Sequence, residues 1–126
     1  MACRALRGAI TVDEDSEAEV LGATRELLAA LLEDNLLSPA SVISAIFTCT
    51  PDLRSTFPAR GAREMGLESA ALLCACEIDV PGALPRCIRA MMHVESDRGQ
   101  DEMRHVYLRA ARALRPEFAR EPERSR

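Results

Sequence analysis

The sequence predicts an α+β fold in which one long amphipathic helix lies against a sheet, and three observations predict it. A helix-capping signature opens an apolar stripe of helical period at about 17–34. Four apolar segments, at 3–12, 42–49, 70–76 and 87–95, have the length and bounding turn residues of strands. The chain of 126 residues can bury one modest core, not two.

The first strand, Cys3 to Val12, puts Leu6, Ile10 and Val12 on one face and Arg7 on the other, among Cys3, Ala5 and Ala9. Asp13-Glu14-Asp15 turns the chain, and Ser16 with Glu19 forms a capping box. In the helix that follows, Leu21, Thr24, Leu28, Leu31 and Leu32 form the stripe with Leu27 beside it. Glu17, Glu19, Arg25, Glu26 and Glu33 line the remainder. Ser38-Pro39 starts a new element, and Val42 to Cys49 reads as a buried strand. Residues 50–59 form a loop punctuated by two prolines, and a short helix follows over 60–65, stopped by Gly66. Strand 70–76 leads to Glu77, a turn at 81–85 and strand 87–95.

Residues 102–115 fit two periods. Met103, Val106, Tyr107, Ala110, Ala111 and Leu114 have helical spacing, which the Ala and Arg content favours. Alternation also works, with Val106, Leu108 and Ala110 opposite Tyr107, Arg109 and Ala111. Residue patterning alone favours the helix. A single domain over 1–115 is then followed by a charged C-terminal tail, 116–126.

Composition excludes several functions. Net charge is −4 with a pI near 5.2, which argues against nucleic acid as a partner. All 16 basic residues are Arg, whose planar fork suits carboxylates. Five cysteines, with no signal peptide and no long apolar segment, point to free thiols in a reducing cytoplasm and away from a membrane. Cys74-x-Cys76 has no second ligand pair, so neither a metal nor another cofactor is expected.

The segment Cys74 to Val94 holds a carboxylate, Glu77, at the end of one apolar run and a cation, Arg89, inside the next. A charge among Cys, Ile and Met is costly to bury unless an anion meets it. Arg7, Arg89 and, if its segment is extended, Tyr107 each lie on the face away from the larger aliphatics. Such a face suits a small dianion: guanidinium forks for carboxylates, a phenol for one more hydrogen bond, and a carboxylate to accept from a hydroxyl. Each residue has a duller account as well. Arg at a strand end makes surface salt bridges, Glu before a turn is solvated, and Tyr is commonly a core ring. His93 and His105 are read as structural.

These residues also carry a resemblance. Arg4 to Val12, Thr50 to Glu64, Cys74 to Gly82, Cys87 to Met92, and Arg104 to Leu108 with Leu114-Arg115-Pro116 resemble, in order, the monofunctional chorismate mutases of the trimeric α/β-barrel class. The resemblance implies a mixed five-stranded sheet backed by the long helix. It also implies a homotrimer forming a pseudo-α/β-barrel, with sites between subunits. It makes about 106–114 a strand, against the helical preference. The implied activity is the pericyclic rearrangement of chorismate to prephenate, toward phenylalanine and tyrosine.

Carried over by position, Arg89 matches the cation beside the breaking ether bond, and Glu77 the acceptor for the ring hydroxyl. Arg7 and Tyr107 match the groups that hold carboxylate. Leu73, Cys74, Ala75 and Cys76 match the wall beside the substrate. Phe57, Ala59, Arg60 and Arg63 match the other side of the cleft, supplied by the adjacent subunit. Leu114 and Arg115 match the start of a segment closing the mouth. Three departures stand out. The stretch between Arg63 and Cys74 is one residue short of the family's pattern, Arg60 stands where Lys is frequent, and Leu73 where a polar residue is familiar. Two other classes compatible with a small trimer are an imine deaminase and a non-catalytic carboxylate-binding protein. Glu77 together with Arg89, Arg7 and Tyr107 favours the mutase.

Overall fold

The computed structural model describes residues 1–118. Five strands, β1 (Ala2–Thr11), β2 (Val42–Cys49), β3 (Ala71–Cys76), β4 (Cys87–Ser96) and β5 (Val106–Tyr107), form one mixed sheet in the order β3-β2-β4-β1-β5. β4 runs antiparallel to both neighbours, while β2/β3 and β1/β5 are parallel. Helix α1 (Glu17–Asp34) links β1 to β2, and α2 (Pro58–Glu64) makes the crossover between the parallel neighbours β2 and β3.

α1 buries the expected stripe. Leu27, Leu28 and Leu31 are fully buried against Leu6, Ile10, Ile88 and Met92, each burial contributing about 2 kcal/mol. The helix starts where the sequence indicates: the Ser16 hydroxyl accepts from the Glu19 N–H at 3.1 Å. The return half of the box goes elsewhere, because the Glu19 carboxylate accepts from the Asp13 N–H at 3.3 Å. Gly8 leaves room for both its neighbour strand β5 and the helix α1. A Cβ there would lie 2.6 Å from the Val106 carbonyl oxygen and 3.0 Å from Leu27. α2 begins at Pro58, earlier than expected, and is ended by Gly66 at φ +96°.

Asn35, buried at the end of α1, fixes the approach to β5. Its amide nitrogen donates to the carbonyls of Leu31 and Arg104 at 2.8 and 2.9 Å, and its oxygen accepts from the Arg104 N–H at 2.7 Å.

The strand implied over 106–114 is corrected. Only Val106 and Tyr107 pair, with Gly8 and Ala9, and Arg109–Ala113 forms a 3-10 turn. The physical reason is local. Leu108 donates its N–H to Ala9 O at 2.9 Å, and Arg109 then turns the chain at φ +55°. The turn is held by the end of β1: Arg109 Nη1 donates to Thr11 O and the Ala110 N–H to Thr11 Oγ1. Helical patterning in this stretch was thus partly right, as one tight turn. Pro116–Phe118 forms another such turn, and residues 119–126 of the expected tail lie outside the described residues.

Candidate active site

The sheet has two unlike faces. Leu6, Ile10, Phe47, Ile88 and Met92 face the helices. Alternation puts Arg7, Thr48, Arg89, Met91 and Tyr107 on the other. Arg89 sits centrally on β4, opposite Thr48 of β2 and Ala9 of β1. Arg7 lies one same-face position along β1 from Ala9, opposite Met91.

Arg7, Ile46, Thr48, Glu77, Arg89 and Met91 line one cleft of about 250 Å³. Glu77 follows β3 directly, and its N–H continues the ladder by donating to Cys49 O at 2.8 Å. Its carboxylate accepts from the Thr48 hydroxyl at 2.5 Å and lies 3.7 Å from Arg89 Nε. That Nε is buried and has no hydrogen-bond partner among the described residues. A buried guanidinium N–H that no acceptor meets carries a desolvation cost, which marks Arg89 as a functional candidate. With two cations and one carboxylate lining the cleft, its charge balance favours an anion.

Tyr107 shares the face but not that cleft. Its ring is 1% exposed, in a cluster with Ala9, Cys87 and Ala111, and Phe118 stacks on it at 6.2 Å between centroids. Leu114 packs against the same cluster. Arg115 lies over the Phe118 ring at 4.6 Å and pairs with Glu117 at 2.9 Å.

The remaining expected residues gather elsewhere on the chain. Phe57, Cys74, Ala75 and Cys76 line a second cleft, about 570 Å³, shared with the loop from Thr50. Leu73 is exposed on the open face, across the β2/β3 ladder from the half-exposed Ile46. Ala59 is buried in the core, and Arg60 is engaged by Glu17 at 2.8 Å and Glu64 at 3.8 Å. Arg63 is exposed in the last turn of α2. None of Phe57, Ala59, Arg60 and Arg63 lines the cleft that holds Glu77 and Arg89 of their own chain.

Cys49 and Cys87 are not set up as nucleophiles. Burial raises the Cys49 pKa to about 12, with the neighbouring Cys74 and Cys76 adding to the effect. Burial also raises Cys87, although Arg89 opposes it. Among the described residues no group of three or more His, Cys, Asp or Glu could hold a metal ion. No described helix is long and apolar enough to cross a membrane.

Three positions escaped sequence reasoning. Thr48 carried a signal only through the β2/β4 register, which sets it beside Arg89. Asn35 follows an unremarkable helix end. His105, read as merely structural, accepts the Arg7 N–H at 3.0 Å through Nδ1.

The description "Chorismate mutase type I" belongs to the family model that matches residues 3–118. The chain belongs to the chorismate mutase type I family. It is 42% identical over 120 residues to chorismate mutase AroH of Bacillus subtilis (strain 168), covering 94% of each chain. It is 50% identical over 116 residues to chorismate mutase AroH of Thermus thermophilus, covering 91% of this chain and 95% of that one. A solved chorismate mutase from Clostridium thermocellum superposes with a TM-score of 0.86 at 48% identity, covering 87% of this chain and 98% of that one. Within this chorismate mutase family chain, the mixed five-stranded sheet agrees with the expected fold class, and α2 adds a second helix to the one long helix expected.

Proposed function

We propose that the protein is a chorismate mutase whose Arg89 and Glu77 act on a substrate bound between neighbouring copies of a homotrimer. The observation that carries the site is the buried Arg89 Nε, without a hydrogen-bond partner among the described residues, beside Glu77 in a cleft with a second cation.

The reaction breaks one C–O bond as a C–C bond forms, and it needs neither proton transfer nor a nucleophile. Catalysis then has two sources. Arg7, on the cleft, and Tyr107, once Phe118 lifts from its ring, hold the carboxylates of a flexible substrate so that the reacting ends face each other. Glu77, oriented by Thr48, accepts the ring hydroxyl, and Arg89 offers fixed positive charge where the ether oxygen becomes negative. Arg89 therefore favours the transition state over the ground state, which is what raises kcat.

The open face supports the shared cleft. Ile46 and Leu73 are 42% and 61% exposed there, an apolar surface suited to a second copy. Phe57 and Arg63, outside their own chain's charged cleft, then complete a neighbour's. Arg60 is a weaker candidate for that role because Glu17 and Glu64 already engage it. Leu114 and Arg115 begin the segment that covers the mouth. A cytoplasmic location is part of the proposal, and the five free cysteines support it.

The test is the loss of chorismate absorbance with purified protein. Conversion to prephenate is expected, and no acceleration over buffer would overturn the assignment. Light scattering tests assembly: an active monomer would overturn the shared cleft.

A further inference from the structure

We propose that His105 is a positioning residue for this reaction, its neutral imidazole setting the two carboxylate-holding groups, Arg7 and Tyr107, by accepting the Arg7 backbone N–H. This rests on the proposed roles of Arg7 and Tyr107.

The geometry at the start of β5 carries the inference. The β1/β5 ladder comprises only Gly8 with Val106 and Ala9 with Tyr107. One position earlier, where Arg7 would meet residue 105, the imidazole replaces the backbone: Arg7 N–H donates to His105 Nδ1 at 3.0 Å. A side chain therefore registers Arg7 against the strand that carries Tyr107. The ring is itself placed from both directions. Asn35 ties down both the N–H and the carbonyl of Arg104. Phe118 packs edge-on against the imidazole at 4.8 Å while stacking on Tyr107. One imidazole thus touches the backbone of one carboxylate holder and the ring that covers the other.

An acceptor at Nδ1 requires the neutral ring with its proton on Nε2. Protonation would set an N–H against the Arg7 N–H and break the contact. The charged groups around the ring oppose it: Arg7 from β1, and Arg115 from the segment after the 3-10 turn, itself paired with Glu117. Burial first, then Arg7 and Arg115, hold the His105 pKa below its ordinary 6.5. The neutral, competent ring dominates above that pKa, so kcat/KM is expected to be flat at higher pH and to fall as pH drops through it.

The test compares wild type with His105→Asn, whose side-chain oxygen can accept as Nδ1 does but does not titrate, and with His105→Leu, which cannot accept. Chorismate turnover is followed between about pH 5 and 8. Wild type should show an acid limb in kcat/KM. His105→Asn should keep activity within about threefold at pH 8 and lose that limb. His105→Leu should raise KM about tenfold with kcat changed far less. An acid limb that persists in His105→Asn, or its absence from wild type, would overturn the proposal, as would wild-type kinetics in His105→Leu. If His105→Leu does not fold, the other two decide. Nitrogen-15 shifts of the imidazole give a readout independent of turnover. A neutral ring with the proton on Nε2 supports the role, and one with the proton on Nδ1 defeats it. Wild-type turnover at pH 8 separately tests the parent reading, so the two failures are distinguishable.

Discussion

Replacing Arg89 with glutamine removes a cation from the middle of the sheet at little cost to the fold. Its ion pair is the 3.7 Å contact with Glu77, both side chains about a third exposed. Such pairs are worth about 0–1 kcal/mol, so melting should shift by only a few degrees. The catalytic loss should be far larger. Taking about half a unit of charge on the ether oxygen, about 3 Å from the guanidinium and with an effective dielectric near 20, the lost attraction is about 3 kcal/mol. That is roughly a hundredfold in kcat, and loss of one preorganised donor typically costs about as much. The assay is chorismate absorbance over a range of concentrations, with scattering and thermal melting run on the same sample. A kcat loss below tenfold, in protein that is folded and assembled like wild type, would refute the role given to Arg89.

Other substitutions separate binding from chemistry and test the layer packing. Glu77→Gln should reduce kcat/KM less than Arg89→Gln, because an amide oxygen can still accept from Thr48 and from a substrate hydroxyl; equal losses would count against the assigned role. Gly8→Ala should cost about 1–3 kcal/mol and lower Tm by on the order of 5–10 °C, since the new methyl meets the Val106 carbonyl at 2.6 Å. An unchanged Tm would show that the β1/β5 approach is looser than described. Asp15 accepts the N–H groups of Arg54 and Ser55, and those bonds lower its pKa below the ordinary 3.8. A depressed carboxylate stabilises the fold at pH above its unfolded value, and that contribution fades as pH falls toward the folded value. Acid unfolding of Asp15→Asn should therefore be less steep than that of wild type, and identical profiles would contradict the linkage.

Much of this was legible in the sequence because burial writes periodicity. The α1 stripe and the one-sided strands at Leu6/Ile10 and Ile88/Met92 announced their partners, and the same alternation isolated Arg7 and Arg89. What was not legible depended on where strands stop and side chains substitute for backbone. The end of β5 is set by Arg109 at positive φ and by the Thr11 carbonyl and hydroxyl, none of which leaves a periodic trace. Thr48 meets Glu77 only through a register between distant segments. His105 and Asn35 look ordinary until the chain brings Arg7 and Arg104 to them. Phe57 and Arg63 posed a different difficulty, since they do not line the cleft that holds Glu77 and Arg89 of their own chain.

The brevity of β5 has a consequence for how the enzyme fails. Two ladder pairs hold Tyr107, and the rest of its anchorage comes from Asn35, His105 and the turn on Thr11. The β1/β4 ladder, by contrast, spans ten pairs. Opening free energies in such a molecule are unequal, and the weakly laddered edge is the first to detach. Amides of 106–111 should exchange with solvent well before those of β1 and β4, and warming should silence turnover while the core is still intact. Tolerance of heat by the fold and tolerance of heat by the activity are therefore separate properties, and they can be engineered separately.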